Sequence, residues 1–245
     1  MDERPSHPRG KALALGLILS AISSPAANAW QPIDIKDESA LRSPPQIVVR
    51  NGTLYFDGVI IAGTAAEFQR QLNMRRVDKI SVNSSGGDVQ EAIAIAEEIH
   101  KRELDIEVRT LCASTCANYL FPAAKNKFLS QYALLLWHGS LHSPAGEFTP
   151  NYVNAGENAL AVTSWYTDLK QQEDAFYQRI HVDGRFAWCP QAQSDYARRF
   201  PEKWFSWSQA SLSRFGVNNI CFTTSAARWQ KAVADKGVIF AEYCQ

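Results

Sequence analysis

Lys79-Ile80-Ser81-Val82-Asn83-Ser84-Ser85-Gly86-Gly87-Asp88, running straight into Val89 to Lys101, is the stretch on which the fold turns. Lys79 to Val82 reads as a short strand, and Val89 to Lys101 carries Ala92, Ile95 and Ile99 at helical spacing. A strand handed to a helix through a glycine pair is the beginning of a crossover unit, and the flanking sequence repeats the pattern. Upstream, Thr64 to Leu72 reads as a helix. Downstream, Leu104 to Thr110 reads as a strand and Thr115 to Ala124 as a second crossover helix. Ala133-Leu134-Leu135-Leu136-Trp137 is a continuous apolar run suited to a strand buried on both faces. Strands alternating with helices imply an α/β fold with a mainly parallel sheet.

Before this alternation, Ile47-Val48-Val49-Arg50 and Thr53-Leu54-Tyr55-Phe56 flank Asn51-Gly52, a pair that readily takes positive φ in a tight hairpin. Pro144, Gly146, Pro150 and Gly156 punctuate a loop over 139–157. Asn158 to His181 reads as one long helix with Leu160, Val162, Trp165, Leu169, Phe176 and Ile180 as apolar anchors. From Gly184 onward the chain is aromatic and irregular, and Trp188, Trp204, Trp207 and Trp229 read as core. The expected organisation is a leader (1–29), an exposed lead-in (30–46), an α/β domain (47–217) and a cysteine-containing tail (218–245).

The leader is read from Arg4, Arg9 and Lys11 before the apolar run Ala12 to Ile22, then Ala27-Asn28-Ala29 as a small-x-small cleavage site. The run is too short for a membrane span, so cleavage before Trp30 and a periplasmic location are expected. The whole chain holds 25 basic and 25 acidic residues. The leader removes three of the former and two of the latter, leaving no electrostatic case for nucleic acid. Of the five cysteines, Cys112, Cys116, Cys189, Cys221 and Cys244, an oxidising compartment pairs four and leaves one over. Positions four apart on a regular helix hold Cβ atoms too far apart for a disulfide, so a Cys112–Cys116 bridge requires Cys112 to lie before the helix. No zinc-ligand spacing is present.

Three short segments converge on one candidate site. Asn83 to Asp88 sits at a strand end and helix start, where paired glycines let backbone amides approach a developing negative charge; alone, it is also ordinary turn and cap chemistry. Cys112-Ala113-Ser114-Thr115-Cys116-Ala117 again joins strand to helix, so Ser114 projects from the carboxyl edge of the sheet, where α/β folds bind ligands; alone, Ser114 reads as a helix cap. Trp137-His138-Gly139 closes the apolar strand and turns His138 toward the same edge; alone, His138 reads as a structural hydrogen-bonder.

Taken in order, Asn83-Ser84-Ser85-Gly86-Gly87-Asp88, Ala113-Ser114-Thr115, and Lys127-Phe128-Leu129 before a strand ending in His138 resemble the proteolytic subunit of Clp protease and its exported relatives, over roughly residues 47 to 140. The resemblance implies a crotonase-like fold of stacked β-β-α units with a helical C-terminal region. It implies Ser114 as nucleophile, His138 as its base, and the amides of Gly87 and Thr115 as an oxyanion hole. Peptide or unfolded-polypeptide substrates and self-association follow from the same likeness. No cofactor is expected, and export excludes the ATP-driven unfoldase. Phe205 to Val217 resembles the family's closing helix and following strand. There the sequence departs from the pattern, since the family's orienting aspartate falls on Trp204. Glu202 is the first substitute and Asp195 the second, with Asp174 and Asp183 further candidates. A non-catalytic binding or assembly module that lost the acid is the competing reading. A crotonase-like acyl-CoA enzyme is disfavoured by export.

Overall fold

In a computed structural model, residues 43–144 and 159–244 are described, with Met1 alone before them. The leader after Met1, all but the end of the lead-in, and the loop of 139–157 from residue 145 onward lie outside the described residues. From Ser43 onward these residues belong to one unit, Pro32–Gln245.

The hairpin forms as the sequence requires. β1 (Gln46–Arg50) and β2 (Thr53–Asp57) pair antiparallel, with Asn51 and Gly52 at φ 49° and 74° in the turn. α1 (Thr64–Met74) then returns the chain to β3 (Lys79–Ser84), parallel to β2. α2 (Val89–Lys101) leads to β4 (Asp105–Ala113), parallel to β3. Asp88 caps α2 through the Glu91 amide (3.0 Å), and Glu91 accepts from Gly63 (3.0 Å) and Ala65 (2.7 Å) at the start of α1. One carboxylate therefore satisfies amides that the first turn of α1 leaves without intrahelical partners.

β4 is the pivot of the seven-stranded sheet. Its first half pairs with β5 (Lys127–Leu129) and its second half with β6 (Leu134–Leu136), both parallel. β8 (Ile220–Phe222) adds to β5 as an edge strand, so the segment expected as a tail contributes to the main sheet. The strand expected at Phe215 to Val217 lies instead at β8, after α6 (Gln209–Arg214). α4 (Ala159–Arg179) occupies the long-helix segment. α5 (Tyr196–Arg199), α7 (Ala226–Ala234) and the small pair β7 (Ser206–Trp207) and β9 (Phe240–Ala241) complete the fold. Phe56, Phe68, Ile80, Val82, Ile99, Ile106 and Val108 are fully buried around the sheet. Trp207 and Trp229 are core, and their indole N–H groups donate to Phe186 O (2.9 Å) and Ala133 O (2.8 Å). Among the described residues no helix is long and apolar enough to cross a membrane.

The second crossover helix is not regular. After Thr115 the chain forms a π-helical turn, Cys116–Leu120, and only then a short α-helix, α3 (Phe121–Ala123). Pro122, in α3, has no N–H to donate to the Asn118 carbonyl four residues back. That carbonyl instead accepts from the buried Tyr177 hydroxyl at 3.1 Å.

Candidate active site

Register brings the site together. Ala113 at the end of β4 is opposite Leu136 at the end of β6, and the Ser114 amide donates to Leu136 O at 3.0 Å. The residues that follow each strand, Ser114 on one side and Trp137-His138 on the other, therefore leave the sheet at the same edge. Ser114 is 8% exposed and sits at φ 54°, a left-handed conformation uncommon for a residue with a side chain. Its carbonyl accepts the Asn118 amide at 2.8 Å. Cys112, still in β4, bridges to Cys116 at the start of the π-helical turn, the placement that a bridge over this spacing requires.

His138 is fixed from several sides. Trp137 exchanges two backbone hydrogen bonds with Phe205, each 2.9 Å, and its ring is fully buried. Gln191 Nε2 donates to His138 O (2.8 Å), and Asn118 Nδ2 donates to Gly139 O (2.9 Å). With its backbone so held, His138 places Nε2 2.7 Å from Ser114 Oγ. Burial drives the imidazole from its ordinary value down to about 4, so the ring is neutral at physiological pH. In the tautomer with the proton on Nδ1, Nε2 accepts the serine hydroxyl.

The glycine turn lies directly against this pair. A Cβ on Gly86 would fall 2.7 Å from the Thr115 nitrogen and 2.9 Å from Ser114 Cβ. At Gly87, φ is 144° and a Cβ would fall 2.0 Å from Ile60 O, so no larger residue fits. Ile60 clasps the turn, donating to Gly86 O at 2.7 Å and accepting from Asp88 at 2.8 Å. Gly87 and Thr115 do not act as donors in the turn and loop backbone hydrogen bonds of the described residues. The Thr115 amide follows Ser114 directly, and the Gly86-Gly87 turn packs against both residues through Gly86.

None of the acids expected from the sequence is among the groups that shift the His138 pKa. Trp204, where the family likeness reserves an aspartate, packs its ring on His138 with centroids 4.3 Å apart. Glu202 is exposed in the preceding turn, and among the described residues no carboxylate acts on the His138 pKa. The other candidates have different partners: Asp195 pairs with Arg198 (3.0 Å), Asp174 approaches His142 Nε2 (2.9 Å) and Asp183 pairs with Arg185 (2.7 Å). Among the described residues the site brings together a serine–histidine pair and the Trp204 ring.

Sequence reasoning missed Gln191 and Asn118 as supports of His138. Both act through backbone carbonyls, and Gln191 reaches across from a 3-10 turn, Cys189–Ala192, which the Cys189–Cys244 disulfide anchors. Nothing in a local motif marks such residues. Among the described residues no group of three or more His, Cys, Asp or Glu side chains is arranged to hold a metal ion. No protein-family model matches the chain, and no curated protein matches it.

Proposed function

We propose that this chain is a serine hydrolase that works by acyl transfer with Ser114 and His138 as a catalytic dyad. The observation that carries the reading is the 2.7 Å contact between Ser114 Oγ and a neutral His138 Nε2 at a strand-to-helix turn. In the proposed reaction Nε2 takes the hydroxyl proton as Oγ bonds to the substrate carbonyl carbon. The amides of Gly87 and Thr115 stabilise the resulting oxyanion. As the tetrahedral intermediate collapses, the bond to the leaving group breaks and the imidazolium returns the proton to that group. Water, deprotonated by the same ring, then releases the acyl group and regenerates Ser114.

The sequence resemblance supports a crotonase-like, Clp-protease-like assignment for the fold, and a parallel sheet with helical crossovers is compatible with it. The same resemblance favours short or unfolded polypeptides as substrates, without an ATPase partner and with self-association. The leader sequence, together with two disulfides among the described residues, supports export to the periplasm. With no carboxylate assigned to His138 among the described residues, turnover is expected to be slow. Loss of the orienting acid in a triad costs about 10⁴-fold, yet leaves catalysis well above the uncatalysed rate.

The same feature favours a second reading, a binding or assembly module that has lost its chemistry. Incubation with a quenched unfolded polypeptide separates the two. Cleavage by the wild type that disappears in Ser114→Ala supports the hydrolase. Stoichiometric binding without cleavage, equal in both proteins, supports the module.

A further inference from the structure

Cys112 and Cys116 stand two residues to either side of Ser114, and both are fully buried. We propose that this bridge is a positioning device for the nucleophile. It holds the 112–116 turn so that Ser114 keeps the left-handed backbone aiming Oγ at His138. The proposal rests on the reading of Ser114 as nucleophile.

Three observations carry it. First, Ser114 occupies φ 54° without the glycine that would make that conformation easy. Something in the surroundings must hold it there. Second, the chain after Ser114 does not enter a regular α-helix. The Phe121 amide bonds to Cys116 O, five residues back, in the wider π-helical ring. The first bond after Ser114, from the Asn118 amide to its carbonyl, spans four residues and the turn widens only beyond it, and the bridge ties this irregular turn covalently to the end of β4. Third, a bridge between residues four apart closes a very short loop and constrains the unfolded chain least, whereas Cys189–Cys244 spans 55 residues. General stabilisation falls mainly to the long bridge, and the short one acts on local geometry. With both sulfurs at 0% exposure, it is a fixed strut and not a surface thiol switch.

The test is the kinetics of covalent labelling by a fluorophosphonate, resolved into a binding constant and a first-order bond-forming rate constant. A left-handed non-glycine residue is disfavoured by a factor of roughly five to one hundred and fifty. Cys112→Ala/Cys116→Ala is therefore expected to lower the bond-forming rate constant about tenfold or more, with the binding constant unchanged within about twofold. A distant core variant, Leu72→Ala, controls for loss of stability and is expected to leave both constants unchanged. A folded double variant with a wild-type rate constant overturns the proposal. If the double variant does not fold, wild-type protein treated with a phosphine reductant carries the test. Labelling should fall as the share of molecules open at 112–116, measured by peptide mass, rises, and persistent labelling of opened molecules overturns it. If wild-type Ser114 takes no label at all, the hydrolase reading itself fails, which separates the two failures.

Discussion

Trp204→Ala should move the ionisation of His138 and, with it, the pH at which Ser114 becomes reactive. In the native protein burial holds the imidazole at about 4 in place of 6.5, and no carboxylate among the described residues pulls it back. Each pH unit of displacement corresponds to about 1.4 kcal/mol. Keeping the charged ring in this site therefore costs up to about 3.5 kcal/mol, a ceiling because the side chain retains some contact with solvent. The Trp204 ring, 4.3 Å from the imidazole, is part of the wall that excludes water. Its removal should raise the His138 pKa by at least about one pH unit. At pH 5 the wild-type ring is then about nine-tenths neutral, and the variant ring about half neutral or less. Labelling at pH 5, relative to the same protein's plateau near pH 8, should fall accordingly.

The stability consequence has a definite sign. Because the folded pKa lies below the unfolded one, the unfolded chain binds the proton more readily between pH 6.5 and 4. Stability is thus unaffected above about pH 6.5 and is lost as pH falls through that window. Labelling rates from pH 4 to 9, with NMR titration of the His138 ring, supply the assay. A wild-type inflection near 6.5, or one that does not move in Trp204→Ala, would refute the reasoning.

Three further substitutions extend the account. Gly87→Ala drives a methyl group into the Ile60 carbonyl at 2.0 Å, so it should abolish labelling and lower stability by more than about 2 kcal/mol in chemical denaturation. Glu202→Gln should leave the labelling rate within about twofold of wild type, because the exposed carboxylate is not among the groups that act on His138; a loss near 10⁴-fold would restore Glu202 as the orienting acid. Gln191→Ala leaves the His138 carbonyl without its side-chain donor, which should cost about 1–2 kcal/mol in thermal unfolding and slow labelling without changing probe binding.

What was legible in the sequence is what local chemistry writes into consecutive residues. The Asn51-Gly52 hairpin, the strand–glycine–helix unit at 79–101 and the apolar run ending at Trp137 all form where periodicity and turn chemistry place them. Ser114 and His138 could be found because each ends a strand, and neighbouring parallel strands finish at one edge. The π-helical turn was not legible. Its local surroundings are tertiary: Pro122 gives the Asn118 carbonyl no donor, and Tyr177, 59 residues away, supplies one. β8 was missed because a three-residue edge strand has too little pattern to outweigh the Gly and Asn residues before it. Trp204 was visible as a departure from the family likeness, but a departure does not say what the side chain there does. That its ring covers His138 is a tertiary fact.

The central claim is that Ser114 is a nucleophile activated by His138, and covalent labelling followed by peptide mapping tests it most directly. Wild-type protein exposed to a fluorophosphonate at pH 7 should gain one adduct, located on Ser114, at a rate that falls by at least about a hundredfold in His138→Ala and to zero in Ser114→Ala. Folded wild-type protein that takes no adduct, or takes it on another residue, would contradict the account.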